Sequence, residues 1–162
     1  MIELNARGQA STFDIFISIT VFVLLLGTSF VIWNDNFDSI RKESRFDNAR
    51  FAAVNVLNNF VSTPGVPTNW ENLVSVEMYG LAKKRNILSN EKVLAFNAAD
   101  YNSIKEKMNI EGFEFTFTLI QDGNSIIDKG FSLADPEFVI GIERVVEYDD
   151  RPAKVFFRLY QP

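Results

Sequence analysis

The sequence predicts an α+β chain: a long N-terminal helix, apolar in its first half and amphipathic in its second, packed on a C-terminal antiparallel β-sheet head. Three observations predict it. Residues 15–32 are eighteen consecutive residues without a charge. Residues 37–61 contain neither Pro nor Gly and place apolar side chains at helical spacing. Residues 113–119 alternate strictly, and turn sequences then divide the rest of the chain into further strand-length segments.

As a helix the uncharged run is about 27 Å long, the thickness of a bilayer's hydrocarbon core. Trp33 closes it at an interface-like position, and Asn34-Asp35-Asn36 follows at once. Asp14 stands at its start, where a carboxylate that reached the membrane centre would cost about 2.5 kcal/mol or more and call for a partner. A cleaved secretory signal is a poor fit, because the run is too long and no A-x-A site follows Trp33. A plain bitopic anchor accounts for the length but not for Asp14. Arg7 and the amino group precede the run, opposed by Glu3, while Asp35 and Asp38 follow it. That asymmetry puts the N-terminus inside and the bulk of the chain outside.

The helix is expected to continue. Phe37, Ile40, Ser44, Asp47, Phe51, Val54 and Val61 fall near a 3–4 spacing, with Leu57 and Phe60 reinforcing the last turns. Arg41, Lys42, Glu43 and Arg45 cover the other side, and Pro64-Gly65 with Pro67 is a stop. One helix over residues 13–62 would be roughly 75 Å long. Gly27 reads as an ordinary glycine of a membrane helix or as a local close-packing site.

Beyond the stop, residues 73–78 read as a short strand and Lys83-Lys84-Arg85 as a solvated basic loop. Ser89-Asn90-Glu91 reads as a turn into a short apolar segment, 92–96. Residues 100–108 read as a helix capped by Asp100, with Ile104 and Met108 on one face. Phe113, Phe115, Phe117 and Leu119 alternate with polar residues and are expected to face Phe51, Val54 and Leu57. Asp122-Gly123-Asn124 is a hairpin signal with a return strand over 125–131. Ala134-Asp135-Pro136 breaks the chain, and strands 138–148 and 154–160 flank Asp149-Asp150-Arg151-Pro152. Four strands with hairpin-length connections predict an antiparallel sheet, covered by the amphipathic half of the helix.

Chemistry is sparse. With 0 Cys and 0 His there is no thiol nucleophile, no disulfide, no zinc site of the usual ligands and no imidazole triad. A net charge of −5 argues against a nucleic-acid partner. None of the phosphate-loop, dinucleotide or nucleophile-elbow glycine motifs occurs. Glu143, Glu147, Asp149 and Asp150 could gather around a hard cation but read better as a solvated acidic turn, and Glu111 with Glu114 could pair only through the fold. No Asn begins an N-x-[ST] sequon; Asn102-Ser103-Ile104 and Asn124-Ser125-Ile126 are near misses. The expectation is a non-enzyme with no catalytic residue, no metal site and no cofactor.

The residues before the apolar run carry a resemblance. Arg7-Gly8-Gln9, then Ser11, Asp14 and the apolar stretch, resemble the class III signal peptide of archaeal type IV pilin-like proteins. The Trp70, Gly80-Leu81 and Asp100-Tyr101 stretch is similar to head domains of such proteins. In that family a peptidase cuts after the glycine on the cytoplasmic side, and the apolar helix stays in the mature protein. The motif has Gln first, Ser third and an acid fifth. Gln9 and Ser11 match, whereas Phe13 is fifth and Asp14 sixth, so the cut falls before Gln9 or before Ala10. The resemblance implies a leader over 1–8, an apolar membrane and filament-core helix over 9–33, its amphipathic continuation over 34–62 and a globular β-rich head over 63–162. Phe13, Ile15, Phe16, Ile19, Phe22, Leu25 and Phe30 would lie in the filament core, and Asp14 would be an assembly contact. The implied function is a major or minor pilin of an extracellular type IV pilus-like filament, membrane-bound before assembly. The implied partners are copies of itself or related pilins, a prepilin peptidase, an assembly ATPase and a membrane platform protein. Two other functions compete: a bitopic membrane-anchored binding protein that does not polymerise, and, lowest, a carboxylate enzyme on the outer face.

Overall fold

The computed structural model describes residues 3–73 and 75–162, with the side chains of residues 3–12, 35, 36, 38, 39 and 42 outside the described set. The elements in chain order are α1 (Glu3–Ser62), a 3-10 turn (Trp70–Asn72), β1 (Ala82–Lys84), β2 (Ile87–Leu88), α2 (Asn90–Ala98), α3 (Tyr101–Lys107), β3 (Glu114–Gln121), β4 (Asn124–Gly130), β5 (Phe138–Tyr148) and β6 (Arg151–Gln161). The chain divides into two units, Met1–Arg45 and Phe46–Pro162. The first is helical over all its described residues.

The second unit is the head. Its part of α1 buries Ala49, Ala53, Val56, Leu57, Phe60 and Val61. Their spacing of four, three, one, three and one is that of a single helix face. This corrects the expected face. Phe51 is 70% exposed and Val54 only half-buried. Two alanines take the positions that sequence reading gave to larger side chains. Phe60 is the hub: its ring lies 5.0 Å from Phe96, 5.5 Å from Phe117 and 6.2 Å from Phe157, all edge-on. Phe115, Phe117 and Leu119 are fully buried as alternation requires, and Phe113, just before β3, is half-buried.

One six-stranded sheet has the order β1-β2-β5-β6-β3-β4. It is mixed, not antiparallel throughout, because β2 runs parallel to β5 at Ile87↔Glu147. The reason lies in the connection: α2, α3, β3 and β4 all intervene between β2 and β5, and a crossover that long permits a parallel neighbour. The strands expected at the end of the chain form, with β5 at residues 138–148 and β6 beginning three residues earlier than expected. They do not run as a meander. β6 inserts between β5 and β3, pairing Ile142↔Phe157 on one side and Phe117↔Phe157 on the other. Turns Asp122-Gly123 and Asp149-Asp150 have positive φ at both residues, the geometry of tight hairpins.

Three local expectations change. No strand forms over 73–78; the described part holds one bridge, Val66↔Met78, and Val74 lies outside the described residues. Lys83 and Lys84 are exposed as expected, but on β1 rather than in a loop. Residues 90–98 are a helix, α2, in place of a turn and a short segment. Helix α3 forms as read: the Asp100 carboxylate accepts the Ser103 N–H at 2.8 Å, and Ile104 and Met108 are buried.

Candidate assembly segment and the head's fixed points

Residues Phe13–Asn34 form a helical segment long and apolar enough to cross a membrane. Every one of them is exposed within the chain itself. Backbone polar groups are consumed by the helix, and two of the four hydroxyls follow suit: Thr20 Oγ1 donates to Phe16 O at 2.9 Å and Thr28 Oγ1 to Leu25 O at 3.0 Å. Apart from Asp14, Ser18, Ser29 and Asn34, what remains outside is hydrocarbon and aromatic surface, which is costly to leave in water at this extent. A membrane anchor and a signal sequence both have such a segment.

The residues singled out from sequence fall here. Phe13, Ile15, Phe16, Ile19, Phe22, Leu25 and Phe30 are all exposed. At 100° per residue they spread over about two thirds of the helix circumference, so no narrow stripe is selected. Asp14 is exposed at the start of the segment. Gly8, Gln9 and Ala10 lie on helical backbone, and their side chains are outside the described set. A Cβ at Gly27 would meet nothing within 4 Å, so the fold of the chain places no demand on that glycine. Trp33 packs on Phe37 at 5.5 Å, one turn on.

The head carries a polar knot that sequence reading missed. Lys92, on α2 and buried, donates to Pro64 O at 2.6 Å and Thr68 O at 2.5 Å. Its ammonium also pairs with Glu71 Oε2 at 3.0 Å and lies 5.7 Å from the centre of the Trp70 ring. Trp70 Nε1 donates to Gly80 O at 2.8 Å. Two glycines make this approach possible. A Cβ at Gly65, whose φ is +85°, would sit 2.5 Å from Trp70 Cδ1, and one at Gly80 would sit 2.3 Å from Gly65 N. Ser89 and Lys92 have the S-x-x-K spacing of a serine–lysine pair. With its protons committed to two carbonyls and a carboxylate, Lys92 is a structural cation and a poor general base.

The acidic residues near the β5–β6 turn do not converge. Glu143 pairs with Lys154 at 2.7 Å, Asp149 and Asp150 form the turn itself, and Glu147 is exposed. Glu114 is taken by Lys105 at 2.8 Å and Tyr101 at 2.7 Å, and Glu111 is exposed. Among the described residues no group of three or more Asp or Glu is arranged to hold a metal ion. Tyr148 donates to Asn90 Oδ1 at 2.6 Å, and burial, then the charge of Asp149, raises its pKa above the ordinary 10.0.

No family model matches the chain, and neither does any curated protein or solved structure.

Proposed function

We propose that the chain is a structural subunit of an extracellular type IV pilus-like filament, made as a membrane-anchored precursor and assembled through its apolar helix after cleavage of residues 1–8. The observation that carries this reading is the exposed apolar segment Phe13–Asn34, on the same helix whose later turns supply the head's core. Lipid covers such a segment in the precursor. After extraction it stays out of water only against other apolar helices, and copies of the same chain are the available source. Arg7-Gly8-Gln9 supplies the processing signal, and the head, by this reading, faces the exterior with a structural rather than catalytic role. The partners that follow are a prepilin peptidase, an assembly ATPase, a membrane platform protein, and copies of the chain or related subunits.

Mass spectrometry of the protein isolated from its own cells tests the reading, together with its sedimentation state. The expected result is a chain beginning at Gln9, or at Ala10, in material that pellets as filaments. Met1 to Gly8 retained on assembled filaments would refute processing as a requirement. An intact Met1 on non-sedimenting membrane protein would select the anchored binding protein instead.

A further inference from the structure

The head also holds a polar recess of about 310 Å³ where the end of α1, the β1–β2 turn and β5 meet. Asn58, Ser62, Arg85, Asn86 and Arg144 line it. Arg85 and Arg144 are exposed, and among the described residues neither guanidinium has a hydrogen-bond or ion-pair partner. The single carboxylate in the lining, Glu143, is held by Lys154 at 2.7 Å.

Arginines beside a helix C-terminus often serve only to satisfy its last carbonyls. Here backbone N–H groups already serve three of the last four carbonyls, those of residues 59–61. Asn59 O accepts the Thr63 N–H at 3.2 Å, Phe60 O the Leu81 N–H at 2.9 Å and Val61 O the Asn86 N–H at 2.7 Å. Asn86 is fixed on its other side too, since its carbonyl accepts the Glu147 N–H at 2.8 Å, and it holds a φ of 63°. Arg85 therefore departs from a fixed backbone position beside a strand that carries Arg144. The result is a recess lined by two free, permanently charged forks together with amide and hydroxyl groups.

We propose that this recess binds a small hydroxylated oxyanion, a sugar acid or a sugar phosphate. The guanidiniums take the carboxylate or phosphate through paired N–H donors. Asn58, Ser62 and Asn86 exchange hydrogen bonds with the hydroxyls of the ring. The volume lies at the lower end of the range of about 300–1,000 Å³ for small-molecule sites. It suits one sugar residue and exceeds what a bare phosphate fills. The proposal stands whether or not the chain polymerises.

Titration calorimetry on the full chain tests it, in a polyoxyethylene detergent that contains neither sugar nor phosphate. The ligands are glucuronate, a hexose phosphate, glucose and inorganic phosphate. At least one sugar anion should bind with a Kd below about 1 mM, with glucose and inorganic phosphate about tenfold weaker or more. Which anion binds decides between carboxylate and phosphate. Arg85→Gln and Arg144→Gln should each weaken binding about tenfold or more while melting as the parent does. Arg158→Gln, on β6 outside the recess, should leave binding unchanged. Absence of binding by both sugar anions up to about 10 mM overturns the proposal. So does undiminished affinity in the two recess variants, or inorganic phosphate binding as tightly as either sugar anion.

Discussion

Tyr101 ties helix α3 to the first residues of β3 through one hydroxyl. Its oxygen donates to Glu114 Oε2 at 2.7 Å and accepts the Phe115 N–H at 2.9 Å, while its ring stacks on Phe115 at 4.8 Å. Burial raises its pKa well above the ordinary 10.0; the Phe115 N–H pulls the other way, and the Glu114 carboxylate pushes it further up. In the unfolded chain the same phenol ionises near its ordinary value. The stability it contributes is therefore fully present below about pH 10 and is lost as pH rises through the folded-state value. Denaturant melts at about pH 8 and about pH 11 should show this alkaline loss. Tyr101→Phe should flatten it, at a cost of about 1 kcal/mol at neutral pH for the missing hydrogen bonds. Tyr148, raised in the same direction, leaves a residue of alkaline sensitivity in that variant. An identical alkaline slope in parent and Tyr101→Phe would clear Tyr101 of the effect.

Along α1, two phenylalanines nine positions apart have opposite surroundings. Phe60 is fully buried among Phe96, Phe117 and Phe157, whereas Phe51 is 70% exposed. Phe60→Ala should destabilise the head by about 3–5 kcal/mol, and Phe117→Ala by a similar amount. Phe51→Ala should change it by no more than about 0.5 kcal/mol. Thermal melts of the full chain read the contrast, and equal losses at Phe51 and Phe60 would mean that the helix face is misplaced. The strands were the most legible elements, because alternation at 113–119, the Asp122-Gly123 turn and the breaks that bound 138–148 are local signals. The helix face was less so: Ala49 and Ala53 carry little apolar weight in a sequence, yet their small size is what a buried position against a sheet accepts. Neighbours in the sheet were illegible, since nothing local tells β6 to insert between β5 and β3. The apolar segment was plain as an uninterrupted run. The recess was not, because Arg85 read as part of a solvated basic run and Arg144 as one residue of a strand. Only the fold brings them to the end of α1.

At the scale of the molecule, Asp14 tests whether the apolar segment polymerises. Cleavage before Gln9 would create an α-amino group, positive at neutral pH with a reference pKa of about 7.7–8.0, near a carboxylate on the adjoining subunit. Buried alone, either ion costs several kcal/mol; paired, they fix the axial register of one subunit against the next. Asp14→Ala should leave cleavage and membrane insertion intact and lower filament yield sharply, with Asp14→Glu restoring part of it. Filament counts by electron microscopy that match the parent would take Asp14 out of assembly. The order of strands adds a matter of timing. β6 is the last element in chain order, yet it lies inside the sheet and, among the described residues, is the only strand that joins the β3–β4 pair to β5. Without residues 151–161 the β3–β4 pair and β5 share no ladder. A chain ending at Asp150 should be cut rapidly by protease across residues 113–148, where the full chain resists. The strand that closes the sheet is thus the last one made, so the head gains its shared ladder only when synthesis of the chain is nearly complete.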